Sequence, residues 1–322
     1  MLADLDRLRD RLAAGDDQAF TLGAHDFALR LAPPSRLIGR EDELAALRET
    51  LDRALGPRPQ GVLVSGGRGV GKTALANELR AMATEGQGWL VAGRFDAQRR
   101  NPQSAPIQAL RMLGHLLLAE PEATLAPLRA RLLRDLGANA GLTVQFLPEF
   151  GTLLGVAATP APGDPVQIEQ RMLQASLDLL GAVVSPRRPL VMLLDVLQWA
   201  GGLTLRMVDA LFGESAIPGL LLVCTYRNAQ RDEPQDERHG DAHPLRDRLA
   251  RWARLDMPPR ELRLHNLTPT ALTSLVAGML RLGDHEAARL AQVIGERTAG
   301  NPFDTVELLN ALRRDGVLVA GS

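Results

Sequence analysis

The chain has 322 residues, 45% hydrophobic and 23% charged, with a formal net charge of −1, an ordinary globular balance that offers no basic footprint for nucleic acid or an anionic membrane. A single cysteine, Cys224, excludes an intrachain disulfide and fits a reducing compartment. No run of about 18 apolar residues is present to cross a bilayer, and the acid-bearing start MLADLDRLRDRL lacks a signal-peptide core, so a cytoplasmic protein without a membrane partner is expected.

Residues 1–36 place leucines at helical spacing (Leu2, Leu5, Leu8, Leu12) and end in the helix-stopping APPS. They read as a separate helix and linker, with an apolar face that packs on the rest of the chain or on a partner. The next domain spans 37–266. Gly61–Ser65 (GVLVS) predicts a strand and Thr73–Ala83 (TALANELRAMA) a helix, and the segment joining them is SGGRGVGKT, Ser65–Thr73. Gly66, Gly71, Lys72 and Thr73 match G-x-x-x-x-G-K-[ST] in the strand–loop–helix setting that this motif needs. Lys72 is the only lysine of the chain; the other 36 of its 37 Lys+Arg residues are arginine.

That exception has a chemical reason. Glycines let backbone N–H groups turn inward around phosphates at the positive end of the following helix. The cradle would comprise Gly66, Gly67, Arg68, Gly69, Val70, Gly71, Lys72, Thr73 and Ala74. A compact ammonium at Lys72 would reach the β- and γ-phosphates, and the Thr73 hydroxyl would ligate Mg²⁺. A planar guanidinium does not replace it. A nucleotide is therefore the expected partner. A dinucleotide G-x-G-x-x-G pattern fails, because Lys72 stands where its last glycine belongs.

Further strands are expected at Trp89–Arg94, Leu190–Leu194, Gly219–Thr225 and Leu262–His265, with a long helical stretch between Asp96 and Pro189. The alternation implies a parallel, doubly wound α/β sheet with helices on both faces. Asp195 follows the apolar run Leu190–Leu194 at the carboxyl end of its strand, where such sheets bind ligands; it reads as a Mg²⁺ ligand or as the cap of the next helix. Asn228–Pro244 is polar, and its His239-x-Asp241-x-His243 spacing reads as a solvated loop rather than a metal site. Residues 267–322 predict a small all-helical lid, with N-caps at Thr268 and Asp284 and stops at Gly300 and Gly316.

With the phosphate loop and Asp195 in place, the chain resembles the AAA-type ATPase module of large bacterial signalling proteins, and more distantly the STAND class of signal-transduction ATPases. The matching pieces are PPSRLIGREDEL (Pro33–Leu44), the loop itself, GRFDAQ (Gly93–Gln98), LPEFGTLLG (Leu147–Gly155), LLDVLQWA (Leu193–Ala200), CTYRNAQ (Cys224–Gln230) and GNPFDTVELLNAL (Gly300–Leu312). The resemblance implies a P-loop NTPase fold, ATP and Mg²⁺ as ligands, and kinase or sensor domains, in the same or another protein, as partners. It also implies that Lys72 and Asp195 are catalytic, that Arg227 senses the γ-phosphate, and that Pro302 in TAGNPF approaches the adenine side. Local readings remain for the last two: an arginine paired with a carboxylate, and a glycine stop followed by a proline helix start.

Two positions depart from the pattern. Relatives read D-D-x-x-W-A-D, whereas Val196 and Gly201 stand where the second and last acids belong. A valine accepts no proton and holds no water. The expected function is thus an ATP·Mg-binding regulatory switch with slow or lost hydrolysis. The alternatives are a low-turnover ATPase with a substituted base, or a scaffold of ATPase fold that binds no nucleotide.

Overall fold

A computed structural model of the chain describes residues 9–11, 13–15, 30–55, 60–85, 88–95, 104–160, 162–213, 217–227 and 244–318. The leucines of the amphipathic start (Leu2, Leu5, Leu8, Leu12) and the His239–His243 spacing lie outside them. The chain divides into two compact units, Arg40–His265 and a second made of Met1–Gly39 with Asn266–Ser322.

In the larger unit the elements run α1 (Glu41–Ala54), β1 (Gln60–Gly66), α2 (Lys72–Glu85), β2 (Trp89–Arg94), α3 (Ser104–Leu118), α4 (Glu122–Leu136), α5 (Ala140–Phe146), α6 (Pro148–Leu154), α7 (Pro165–Val183), β3 (Leu190–Asp195), α8 (Gly202–Phe212), β4 (Leu220–Arg227), α9 (Pro244–Trp252) and β5 (Arg260–Leu264). The sheet order is β2-β3-β4-β1-β5, and every pairing is parallel. All five predicted strands are present, with ends shifted by no more than two residues.

The order also says where the helices go. The β1-to-β2 connection runs across the sheet in one direction, and the later connections run back in the other. Right-handed crossovers then place α2 on one face and α3–α9 on the opposite face. The core agrees: Leu190, Met192, Leu194, Leu220, Leu222 and Cys224, alternate residues of β3 and β4, join one buried cluster with Leu113, Leu132, Phe150, Leu179, Val208 and Trp252 of the second set of helices. All six residues of β3 are buried, as expected of a strand covered on both faces. Each such Leu or Met contributes roughly 1.5–3 kcal/mol by leaving water. The expected helical stretch before β3 is realised as α3–α7. Its last helix starts on the Asp164 cap, whose side chain accepts from Gln167 N.

The smaller unit contains α10 (Pro269–Leu280), α11 (Asp284–Thr298) and α12 (Pro302–Arg314). Thr268 caps α10 as expected, accepting from Ala271 N. Asp284 is not a cap: Gly283 holds that position and Asp284 is the first helical residue, where its charge still favours the positive helix end. Ala299 (φ 50°) and Gly300 (φ 76°) turn the chain out of α11. Leu31 packs with Leu272, Leu275, Val276, Ile294 and Leu309, and its backbone bonds Asn310 at both groups, 2.8 Å through N and 3.2 Å through O.

No described helix is long and apolar enough to cross a membrane.

Candidate functional site

The C-terminal ends of β1, β4 and β3 stand side by side in the sheet, with Gly66 opposite Arg227 in register and Arg94 opposite Asp195. Residues 67–71 leave β1 as a loop, and α2 begins at Lys72. Two glycines are required for different reasons. A Cβ at Gly66 would fall 2.6 Å from the Leu264 carbonyl oxygen, so that position needs glycine for close approach of β5. At Gly71 a Cβ would meet nothing within 4 Å, but the backbone is at φ +98°, a conformation that L side chains rarely adopt. Gly69, at φ 77°, adds a third positive-φ glycine to the turn.

Lys72 Nζ donates to Gly66 O at 2.8 Å and to Gly67 O at 2.6 Å, which folds the stem back along the loop. Burial, then the nearby positive charge of Arg227, lowers the Lys72 pKa to about 8, and Asp195 acts weakly the other way. Thr73 Oγ1 donates to Asp195 Oδ2 at 3.0 Å. The other carboxylate oxygen, Oδ1, accepts a short hydrogen bond from Thr225 Oγ1. Thr225 in turn accepts from Val196 N at 3.0 Å. Asp195 is only 4% exposed, so these bonds fix its orientation: Oδ1 is locked to β4 and Oδ2 faces Thr73. An oxygen pair of hydroxyl and carboxylate is a donor set for a hard cation such as Mg²⁺, and the loop beside it, with glycines at positive φ leading into the N-terminus of α2, suits phosphates. The residues present fit Mg²⁺ and a nucleotide.

Val196 sits at φ 69° and ψ 47°, left-handed space that a β-branched residue adopts at a cost. It is held there by the Thr225 bond and by the turn Leu197–Trp199, in which Trp199 N donates to Val196 O at 3.1 Å. The resemblance places an acid here, and this backbone conformation favours Asp or Asn.

The structure brings together the sequence-predicted Lys72, Thr73, Asp195 and Arg227. Pro302 lies in the other unit as the first residue of α12, next to Asn301, whose side chain accepts from Phe303 N and Asp304 N. Capping thus accounts for the letters GNPF within that unit. Sequence reasoning missed three residues. Arg40, 7% exposed, donates to Val70 O at 3.1 Å and to His265 O at 2.5 Å, tying the phosphate loop to the end of β5. Thr225 orients Asp195, and Arg94 approaches it, with Nε 3.7 Å from Oδ2. A threonine inside the apolar run of β4 was the available signal for Thr225. Gln198 Oε1 accepts from Arg227 N at 3.2 Å, while its Nε2 is buried with no hydrogen-bond partner. Among the described residues, no cluster of three or more His, Cys, Asp or Glu side chains could hold a metal ion.

Residues 36–223 match the AAA ATPase domain family. The chain belongs to that family. Hybrid signal transduction histidine kinase G of Dictyostelium discoideum is 30% identical over 192 residues, which cover 60% of this chain and 6% of that protein. The match therefore spans a small fraction of the length of this relative. Among solved structures, Cdc6p from Pyrobaculum aerophilum aligns with a TM-score of 0.48 at 15% identity, over 88% of this chain and 64% of that one. A signal transduction ATPase with numerous domains and a tetratricopeptide repeat sensor, from Pyrococcus horikoshii, aligns with a TM-score of 0.39 at 15% identity, over 86% and 30%.

The lowered pKa of Lys72 has a consequence for nucleotide binding at this loop. Bound phosphates favour the ammonium, so binding should take up protons as the pH rises through about 8, where the free lysine loses its own. Affinity for Mg·ATP is expected to be about tenfold weaker at about pH 9 than at about pH 7. Calorimetric titrations in two buffers of different ionisation enthalpy would register the proton uptake directly; pH-independent affinity across that range would contradict it.

Proposed function

We propose that the chain is an ATP·Mg-binding regulatory module whose nucleotide state, rather than rapid turnover, conveys a signal. One juxtaposition carries this: Lys72, Thr73 and a doubly hydrogen-bonded Asp195 are assembled at one sheet edge, and the next residue is Val196. Backbone N–H groups of Gly66–Ala74 would hold the phosphates, Lys72 their charge, and Thr73 and Asp195 the metal. When bound, Mg²⁺ would offset the negative charge of the triphosphate. Arg227, at the end of β4 beside Gly66, is placed in the role of γ-phosphate sensor and Pro302 on the adenine side, both by family resemblance. Nothing at position 196 can take a proton from water, so the ATP state is long-lived. The partners are other signalling domains, in keeping with the histidine-kinase relative.

One observation favours a slow ATPase instead. Gln198 has a buried Nε2 without a partner, and an amide can orient a water although it cannot deprotonate it. A scaffold that binds no nucleotide leaves the Lys72–Thr73–Asp195 arrangement unexplained.

A switch needs differential contacts with its two ligands. Hydrogen exchange over residues 266–318 is expected to differ between the ATP·Mg and ADP·Mg states. Identical exchange in the two states, with both nucleotides bound, would overturn the switch while leaving the binding site intact.

A further inference from the structure

Arg94 is the last residue of β2, and it is mounted with more care than an exposed arginine requires. Gly93 lets β2 approach α3 closely, since a Cβ there would fall 1.8 Å from Ala105 O. Gln108 of α3 then holds both backbone groups of Arg94: its Oε1 accepts from Arg94 N at 3.1 Å and its Nε2 donates to Arg94 O at 3.4 Å. The side chain is 70% exposed and directs Nε to within 3.7 Å of Asp195 Oδ2. That is the oxygen facing Thr73, whereas Oδ1 is taken by Thr225. With Arg94 exposed to solvent and its Nε 3.7 Å from the buried carboxylate, the contact adds little to stability, so stability does not explain the mount.

We infer that Arg94 is a nucleotide-responsive arginine, which rests on Asp195 in the free chain and moves to the terminal phosphate when Mg·ATP binds. The inference rests on the nucleotide site proposed above. Thr73 and Asp195 would hold the divalent cation, whose positive charge would disfavour the neighbouring guanidinium and compete with it for the carboxylate. The triphosphate then becomes the strongest anion near Arg94. Reach makes the contact selective. In the order β2-β3-β4-β1, Arg94 stands three strand spacings, roughly 14 Å, from the strand that feeds the phosphate loop. An arginine side chain spans only part of that gap, so it meets the outer end of the ligand and not the phosphates nearer β1. ADP lacks the group that Arg94 would contact.

The test is calorimetric titration of the full chain, Arg94→Ala and Arg94→Lys with ATP and with ADP at saturating Mg²⁺. The exposed position of Arg94 makes an unchanged melting temperature the expected control. Arg94→Ala should lose about ten- to a hundredfold in ATP affinity, the span of one hydrogen bond to a charged group, with ADP affinity unchanged. Arg94→Lys, a point charge without the planar fork, should fall between. If Arg94→Ala keeps the ATP-to-ADP ratio of the parent, whether by losing neither affinity or both equally, the inference is overturned and the nucleotide site stands. If the parent chain binds neither nucleotide, the proposed function fails, and the role of Arg94 with it.

Discussion

Replacing Lys72 with alanine should weaken Mg·ATP binding by about a hundredfold or more, the loss of charge-assisted contacts to two phosphates at roughly 1.5 kcal/mol or more each. The fold should not suffer. Among the described residues Nζ bonds Gly66 O and Gly67 O, both at the mouth of the loop, and burial already disfavours its charge. Removing a partly desolvated ammonium therefore leaves the melting temperature equal or higher. Lys72→Arg should lose binding almost as completely, because a longer planar group does not fold back onto two adjacent carbonyls. Isothermal titration together with thermal melting checks both halves. Retained binding in Lys72→Ala would contradict the role of this lysine, and a lower melting temperature would contradict the claim that its part is in ligand binding alone.

The second large effect is a gain. Val196→Asp should raise ATP turnover by about a hundredfold, the lower end of what a positioned general base contributes. Aspartate suits the site in two respects. It supplies the carboxylate that the AAA resemblance places directly after Asp195, and it tolerates φ 69° and ψ 47° better than a β-branched side chain. The relief of backbone strain, of order 1 kcal/mol, offsets part of the repulsion from Asp195. Val196→Asn separates the two effects, since an amide accepts the left-handed backbone but no proton. Phosphate release under single-turnover conditions is the measurement. Equal, slow release from Val196→Asp, Val196→Asn and the parent would show that the missing acid does not limit hydrolysis.

The sheet was legible in the sequence because its strands are short, β-rich and bounded by glycine or proline, and because parallel pairing demands apolar residues on both faces, as in Leu190–Leu194. The phosphate loop was legible for a similar reason: its chemistry is contiguous, and one lysine among arginines stands out. Asp195 was found at a strand end because the apolar run before it marks a buried strand. What could not be read were partners far apart in the chain. Thr225 meets Asp195 across 30 residues, Arg94 meets it across the whole run α3–α7, and Arg40 reaches His265 O across 225. No local spacing encodes these pairings; the two at Asp195 follow from the strand order, which sets β3 beside both β2 and β4. The left-handed backbone at Val196 was equally hidden, since valine is the last residue that propensity would put there. The cap of α11 slipped by one residue for a smaller reason. Gly283 and Asp284 both suit a helix start, and the acid serves at the first helical position as well as at the cap.

The most direct test of a long-lived ATP state is to mix excess protein with Mg·ATP, separate the bound from the free nucleotide, and follow the identity of the bound fraction over hours. A nucleotide-held switch predicts bound ATP that stays intact, and no bound ATP in Lys72→Ala. Cleavage of bound ATP within minutes, dependent on Lys72, would contradict it.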